Sequence, residues 1–221
     1  MDKKFVFVAG PSESGKSGAV NYLEENNEEF KHLKIRNIFP EVYKDSKSIL
    51  EYSQWYDEQS KNNFEEFWQK YIQKAAFMAG DAKVVIMDTM YGLKEIKYLY
   101  ALLGENLRVL YIDAPLEKRI MREYMRLRTD SNNSDRQADL EITVEEVAEK
   151  TKKKDTKKQK LETFEYKNLR YTAGSGIDYN ASGDLFSYVI ENNGTKEHLN
   201  TFLDEFSQKI LDEVKDVKVK K

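Results

Sequence analysis

The chain has 221 residues, enough for one α/β domain with a small inserted lid. Charged residues make up 34% and the formal net charge is −3, so the surface is well solvated without a dominant sign. That argues against broad nucleic-acid or membrane affinity from overall charge, although local basic clusters remain open. There is no cysteine, which excludes disulfides, thiolate catalysis and cysteine-based zinc sites. The start, Met1-Asp2-Lys3-Lys4, leads into a run of six apolar or small residues. This is shorter than a signal peptide's apolar region, and no segment approaches a membrane span. A cytoplasmic protein is the default expectation.

In chain order, Phe5-Val6-Phe7-Val8-Ala9 predicts a buried strand. Gly10-Pro11-Ser12-Glu13-Ser14-Gly15-Lys16-Ser17 follows, which reads G-x-x-x-x-G-K-S, the Walker A phosphate loop. Gly10 and Gly15 allow backbone angles that turn successive N–H groups around an anion. Ser17 to Glu25 predicts a helix whose N-terminus, with Gly18 in its first turn, points at the same anion. Lys16 would reach the β- and γ-phosphates of a nucleotide, and the Ser17 hydroxyl would ligate Mg²⁺.

His32 to Phe39 alternates in part and stops at Pro40, which predicts a second strand. His32 has no partner at metal-ligand spacing, so an exposed or capping role is expected of it. Residues 45–80 read as helical with a break near Asn62-Asn63, and Asn63 with Glu66 forms a capping-box pattern. Trp55, Tyr56, Phe64, Phe67, Trp68 and Tyr71 fall at helical spacings, which implies buried helix faces; stacking of one or two on a base is the sharper alternative. Arg36 is the sole arginine before residue 108, and so the one arginine in this region able to pair bidentately with an acceptor phosphate.

Lys83 to Asp88 is the clearest buried strand. Asp88 at its end suits Mg²⁺, directly or through water. It also suits orientation or deprotonation of an acceptor hydroxyl, or the N-cap of a helix from Thr89 to Leu103 that ends at Gly104. Leu107 to Asp113 is another core strand, and Pro115 opens the next helix. Four arginines fall within ten positions, Arg119, Arg122, Arg126 and Arg128; the first three share a face. Arginine pairs bidentately with phosphate and stacks on bases.

Residues 129–172 are polar, with Thr143 and Glu146 suggesting a second capping box. Lys150 to Lys160 contains seven lysines and reads as a solvated helix or a lid over polyphosphate. Residues 173–183 read as a loop and Ser187 to Glu191 as a last strand. Thr195 caps a final helix with Leu199, Phe202, Leu203, Phe206, Ile210 and Val214 as its core stripe; the tail beyond Asp216 is expected to fray. The expected fold is a three-layer α/β sandwich with about five parallel strands plus a helical lid.

On these residues the chain resembles the P-loop nucleoside and nucleotide kinases, in particular small adenylate-kinase-like or dephospho-CoA-kinase-like members. Beyond the loop, the likeness rests on the strand-ending Asp88, on Asp113-Ala114-Pro115 leading to the arginines and Asp130, and on Tyr188 to Thr195 before the last helix. It spans residues 3–20 and 83–212 and leaves 26–80 unmatched. The resemblance implies one kinase domain over 1–221, with an acceptor-binding helical segment at 40–82 and a lid at 118–172. It implies ATP and Mg²⁺ as cofactors and a nucleotide or phosphorylated metabolite as partner. Arg119 would lie against the adenine, Arg122 and Arg126 would approach the transferring group, and Asn193-Gly194 would contact the base edge. A hydroxyl-directed kinase and a nucleotide-dependent switch protein are the alternatives. The acceptor signatures of guanylate kinases, AMP-binding kinases and dephospho-CoA kinases are all missing, so the resemblance does not identify the acceptor.

Overall fold

The computed structural model describes residues 3–88, 93–129, 141–158, 162–166, 169–173 and 186–219. Strand β1 (Lys4–Ala9) is buried along its whole length. A continuous apolar strand of this kind needs cover on both faces, as in a parallel sheet. It is flanked by β3 (Val84–Asp88) and β4 (Leu107–Asp113), with β2 (Phe30–Lys34) and β7 (Tyr188–Glu191) at the edges. All four pairings are parallel.

The pleat divides the core in two. Phe5, Phe7, Val85, Met87, Val109 and Tyr111 face the aromatic helices α2 (Ile35–Ser46), α3 (Tyr52–Asn62), α4 (Phe64–Met78) and α5 (Leu93–Leu103). Val6, Val8, Ile86, Leu110 and Ile112 face α1 (Lys16–Glu25) and the last helix, α8 (Lys196–Val219). At the amino end of the sheet, buried Lys4 is paired with Glu213 of α8, which Arg108 also contacts at 2.8 Å. A third, smaller cluster of Ile120, Ile142 and Val147 joins α6 (Leu116–Thr129) to α7 (Val144–Lys158).

The expected strand over 32–39 is corrected by the structure. The strand is Phe30–Lys34, and Ile35 already begins α2, with Pro40 inside it. Ile38, Phe39 and Val42 are buried together, at spacings that share a helix face. Burying that face outweighs the hydrogen bond Pro40 cannot donate. Over 45–80 the expected break near Asn62-Asn63 falls between α3 and α4, and a further break follows Ser46 at the end of α2. Lys47 adopts a left-handed conformation (φ 51°) after α2, and Tyr43 OH donates to the Leu50 carbonyl at 2.6 Å across the link.

Aromatics in 39–71 fulfil the expectation of a buried helical core. Phe39 stacks on Phe67 at 5.0 Å and meets Tyr56, Trp68 and Tyr71 edge-on or tilted. The Asn63 capping box does not form. That of Thr143 does: Glu146 N–H donates to Thr143 Oγ1 at 3.2 Å, and Glu146 Oε2 accepts from Thr143 N–H at 2.9 Å. Thr195 Oγ1 accepts from His198 N–H at 3.3 Å.

An antiparallel hairpin, β5 (Glu162–Tyr166) and β6 (Leu169–Ala173), falls where sequence predicted only a polar lid. In α8 the expected stripe holds except for Phe202, which is exposed, and the helix runs to Val219. The expected N-cap around Thr89 and most of the 173–183 loop lie outside the described residues. Among the described residues no helix is long and apolar enough to cross a membrane.

Candidate active site

The loop between β1 and α1 sits at the carboxyl end of the sheet. Three of its residues have positive φ: Gly10 (138°), Glu13 (62°) and Gly15 (102°). A Cβ at Gly10 would lie 2.1 Å from the Ile112 carbonyl oxygen, and one at Gly15 2.4 Å from Asn192 Nδ2. Both positions therefore exclude a side chain by packing as well as by backbone angle. The G-x-x-x-x-G spacing is met by glycines that the fold itself requires.

Within the loop, Lys16 Nζ donates to the Gly10 carbonyl at 2.9 Å and to that of Pro11. Ser14 is fully buried, and its Oγ has no hydrogen-bond partner among the described residues. Ser12 is buried as well, while Ser17 and Gly18 are exposed on the first turn of α1. No side chain caps that helix, so its first N–H groups stay directed at the loop's interior.

Helix α6 supplies the arginines. Arg119 is buried; its Nε donates to the Ala114 carbonyl at 3.1 Å, and one NH1 serves both the Ser12 carbonyl at 3.1 Å and Asp155 Oδ2 at 2.8 Å. Arg122 donates through NH2 to the Asn192 carbonyl (2.8 Å) and Oδ1 (3.0 Å). Its NH1 is buried without a partner among the described residues, and burial pulls the guanidinium below its ordinary pKa. Arg126 is paired with Glu123 at 2.5 Å, and Lys154 of α7 reaches both Glu123 (3.0 Å) and the loop's Glu13 (3.4 Å). Burial alone would raise the Glu123 carboxyl, but hydrogen bonds from Arg126 and Lys154 outweigh it and hold the pKa below 4.5.

Asp88 ends β3 beside β1, opposite Val8 in the register. His32, expected to be exposed or capping, is instead buried at its side chain, and its Nε2 stands 3.4 Å from Asp88 Oδ2. Tyr71, beneath them, is fully buried; burial first and the Asp88 charge second hold its hydroxyl well above the usual range.

The loop, Arg119 and Arg122 are thus gathered into one cluster, with Arg126 tied to it through Glu123 and Lys154. Arg36 is exposed on the first turn of α2, at the same end of the sheet, and makes no hydrogen bond or ion pair among the described residues. Asn193 and Gly194 are exposed, and Gly194 lies against His198.

Their neighbour Asn192, which the sequence reading passed over, joins the two halves. Its Nδ2 donates to the Ser14 carbonyl at 2.8 Å, its backbone N–H to the Asp113 carbonyl at 2.7 Å, and its oxygens accept from Arg122. Glu123, Lys154 and Asp155 were missed for a similar reason. Glu123 had one local signal, standing three residues before Arg126 on one helix face.

No family model matches the chain, and no curated protein matches it. Solved structures do. An uncharacterised protein from Eubacterium ventriosum is 11% identical, with 94% of this chain and 98% of that one covered and a TM-score of 0.54. A shikimate kinase from Bacteroides thetaiotaomicron is 11% identical over 95% and 98% of the two chains, with a TM-score of 0.48. A shikimate kinase from Acinetobacter baumannii in complex with shikimate is 15% identical over 95% and 94%, with a TM-score of 0.45.

At such identities the likeness concerns architecture alone. A parallel sheet in the order β2-β3-β1-β4-β7, with a glycine loop leading from its central strand into a helix, is a P-loop α/β domain. More narrowly, helix α6 is folded beside that loop, in an architecture shared with the Eubacterium ventriosum structure.

Proposed function

We propose that this chain is an ATP-dependent phosphotransferase whose acceptor is a nucleoside monophosphate or a similar small phosphorylated metabolite. The observation that carries the reading is the loop: Gly10 and Gly15, at positive φ and packed too closely on Ile112 and Asn192 to carry a Cβ, curl the chain around a buried Ser14 hydroxyl with no partner among the described residues. Such a cradle, with uncapped helix N–H groups and a lysine at its mouth, fits a polyphosphate.

Loop N–H groups from Gly10 to Gly18, with Pro11 contributing only its shape, hold the β- and γ-phosphates. Lys16 exchanges the Gly10 and Pro11 carbonyls for phosphate oxygens. Ser17 and Asp88 are the residues that would hold Mg²⁺. When bound, the magnesium nucleotide supplies the transferable phosphoryl group with part of its charge already neutralised. Arg122 and Arg126 offset charge on that group, and the mechanism is one of positioning and electrostatic complementarity rather than covalent chemistry. Arg119 fixes the loop through Ser12; adenine contact from Arg119 requires Asp155 to give way. Asn193 and Gly194 offer backbone groups to the base edge, and Arg36 stands where an acceptor phosphate would enter.

A second reading, transfer to a hydroxyl, is favoured by one observation: the carboxylate of Asp88 lies beside a buried imidazole. An alcohol acceptor benefits from a base, whereas a phosphate monoester is already mostly ionised near neutral pH.

The test is ADP release from MgATP with a panel of monophosphates, nucleosides and other small alcohols. Stimulation by a monophosphate supports the first reading and stimulation by an alcohol the second. Tight nucleotide binding without stimulation by any acceptor would point to a switch protein instead. Lys16→Ala is expected to abolish turnover; persistence of full activity would remove the loop from the mechanism.

A further inference from the structure

His32 lies on the edge strand β2, paired with Ile86, two residues before the Lys34–Asp88 pair. Its side chain is 6% exposed and that of Asp88 13%, so both are largely withdrawn from solvent. The 3.4 Å approach of Nε2 to Asp88 Oδ2 is not aligned as a hydrogen bond, and Nε2 has no hydrogen-bond partner among the described residues. The strand around it is pinned: His32 N–H donates to Glu24 Oε1 at 3.2 Å, and Lys31 holds the same carboxylate at 2.8 Å. Tyr71 does not serve Asp88 as a donor here, since its hydroxyl is directed to Met87 Sδ at 3.4 Å.

An unpartnered buried ring nitrogen carries a desolvation cost, which an aliphatic residue at position 32 would avoid. The place where that cost is recovered is Asp88 itself. Hydrogen bonds in an unloaded site are often long and tighten when the site fills. A carboxylate that holds a metal is itself steadied by a donor behind it, and losing that donor typically weakens metal affinity about 10–100-fold.

The geometry points to His32 as a positioning residue for Asp88: its Nε2–H donates to Oδ2 and sets the carboxylate for the magnesium of a bound nucleotide. This rests on the proposed role of Asp88 in holding Mg²⁺. Neither the loop motif nor the arginine helix contains it.

Binding of ATP to the full chain, measured by calorimetry with and without Mg²⁺, tests it. The variants are His32→Gln, whose amide reaches as far as Nε2, and His32→Asn, whose amide stops short. Both are polar and smaller than histidine, so a difference between them reports reach rather than packing. His32→Asn is expected to lose about tenfold of the magnesium-dependent gain in affinity while metal-free ATP binds as before. His32→Gln is expected to stay within about threefold of the parent chain.

If both variants keep the gain, or if both weaken ATP equally with and without metal, His32 does not position Asp88. Asp88→Asn separates the two levels. If it leaves the gain intact, the magnesium role of Asp88 fails and the role of His32 fails with it. If Asp88→Asn removes the gain and His32→Asn does not, only the inference about His32 falls.

Discussion

Asn192 shows how one side chain can carry a site that no local motif announces. It holds the Ser14 carbonyl from beneath the loop and takes both hydrogen bonds donated by Arg122 NH2. Truncation to alanine removes the buried bond to the Ser14 carbonyl and one of the two acceptors of Arg122 NH2, which keeps the backbone carbonyl. Asn192→Ala is therefore expected to lower stability by about 2 kcal/mol and ATP affinity about tenfold, read by urea denaturation and equilibrium binding. A stability loss with unchanged affinity would make Asn192 a structural residue only.

Glycines give a sharper contrast on the same scale. Gly10→Ala puts a Cβ against the backbone oxygen of Ile112, on the β4 strand that pairs with β1, at a φ that side chains rarely adopt. Neither strand can yield without opening the sheet, and a loss of about 3 kcal/mol or more is expected. Gly18, with nothing within 4 Å of its notional Cβ, is on an ordinary helical turn. Gly18→Ala should stabilise by about 0.5–1 kcal/mol. Thermal melts of the two variants, side by side, check both signs.

At the scale of elements, α6 and α7 form a unit with its own small core and an ionic seam onto the loop. Glu123 is central to that seam. Its pKa in the folded chain is lowered, so the stability it contributes is fully present above its ordinary value of 4.5. It is lost as pH falls through the lower folded value. Arg126 and Lys154 are each more than a third exposed at their side chains, so screening tempers the contribution to about 1–2 kcal/mol at neutral pH. Glu123→Gln should be less stable than the parent chain at roughly pH 7, with the gap closing toward roughly pH 3. A gap that stays constant across that range would mean the seam acts by shape and not by charge.

Legibility in the sequence divides along the same line. The central strands could be read because a parallel strand buried on both faces is a continuous apolar run, as in Phe5–Ala9 and Val84–Met87. The loop could be read because its requirements are local: two glycines, a lysine and a hydroxyl at fixed spacing. Strand β2 was overextended because Leu33, Ile38 and Phe39 flank a proline, and proline usually ends an element. Here the aromatic face of α2 prevailed. Beyond the i,i+3 pair of Glu123 and Arg126, the contacts onto the loop had no local signal. Lys154 lies 141 residues from Glu13, and Asn192 lies 178 from Ser14, so no spacing rule connects them.

For the molecule as a whole, the loop is not an appendage. It is tied through Asn192 to the end of β7, through Arg119 to α6 and through Lys154 to α7, so a ligand seated in it couples to both the sheet and the α6–α7 unit. Anything that binds the folded chain and not the unfolded one raises stability by mass action, about 2.7 kcal/mol at one hundred times the dissociation constant. For a chain of this size that corresponds to roughly 5–10 °C in Tm. MgATP is accordingly expected to raise the melting temperature by that amount, and metal-free ATP by less. Lys16→Ala, which gives up bonds to the Gly10 and Pro11 carbonyls, should melt within about 2 °C of the parent chain without nucleotide. With MgATP it should show almost no shift. Equal shifts in the two proteins would mean that the nucleotide stabilises the chain from somewhere other than the loop, and the donor site would have to be sought elsewhere on the fold.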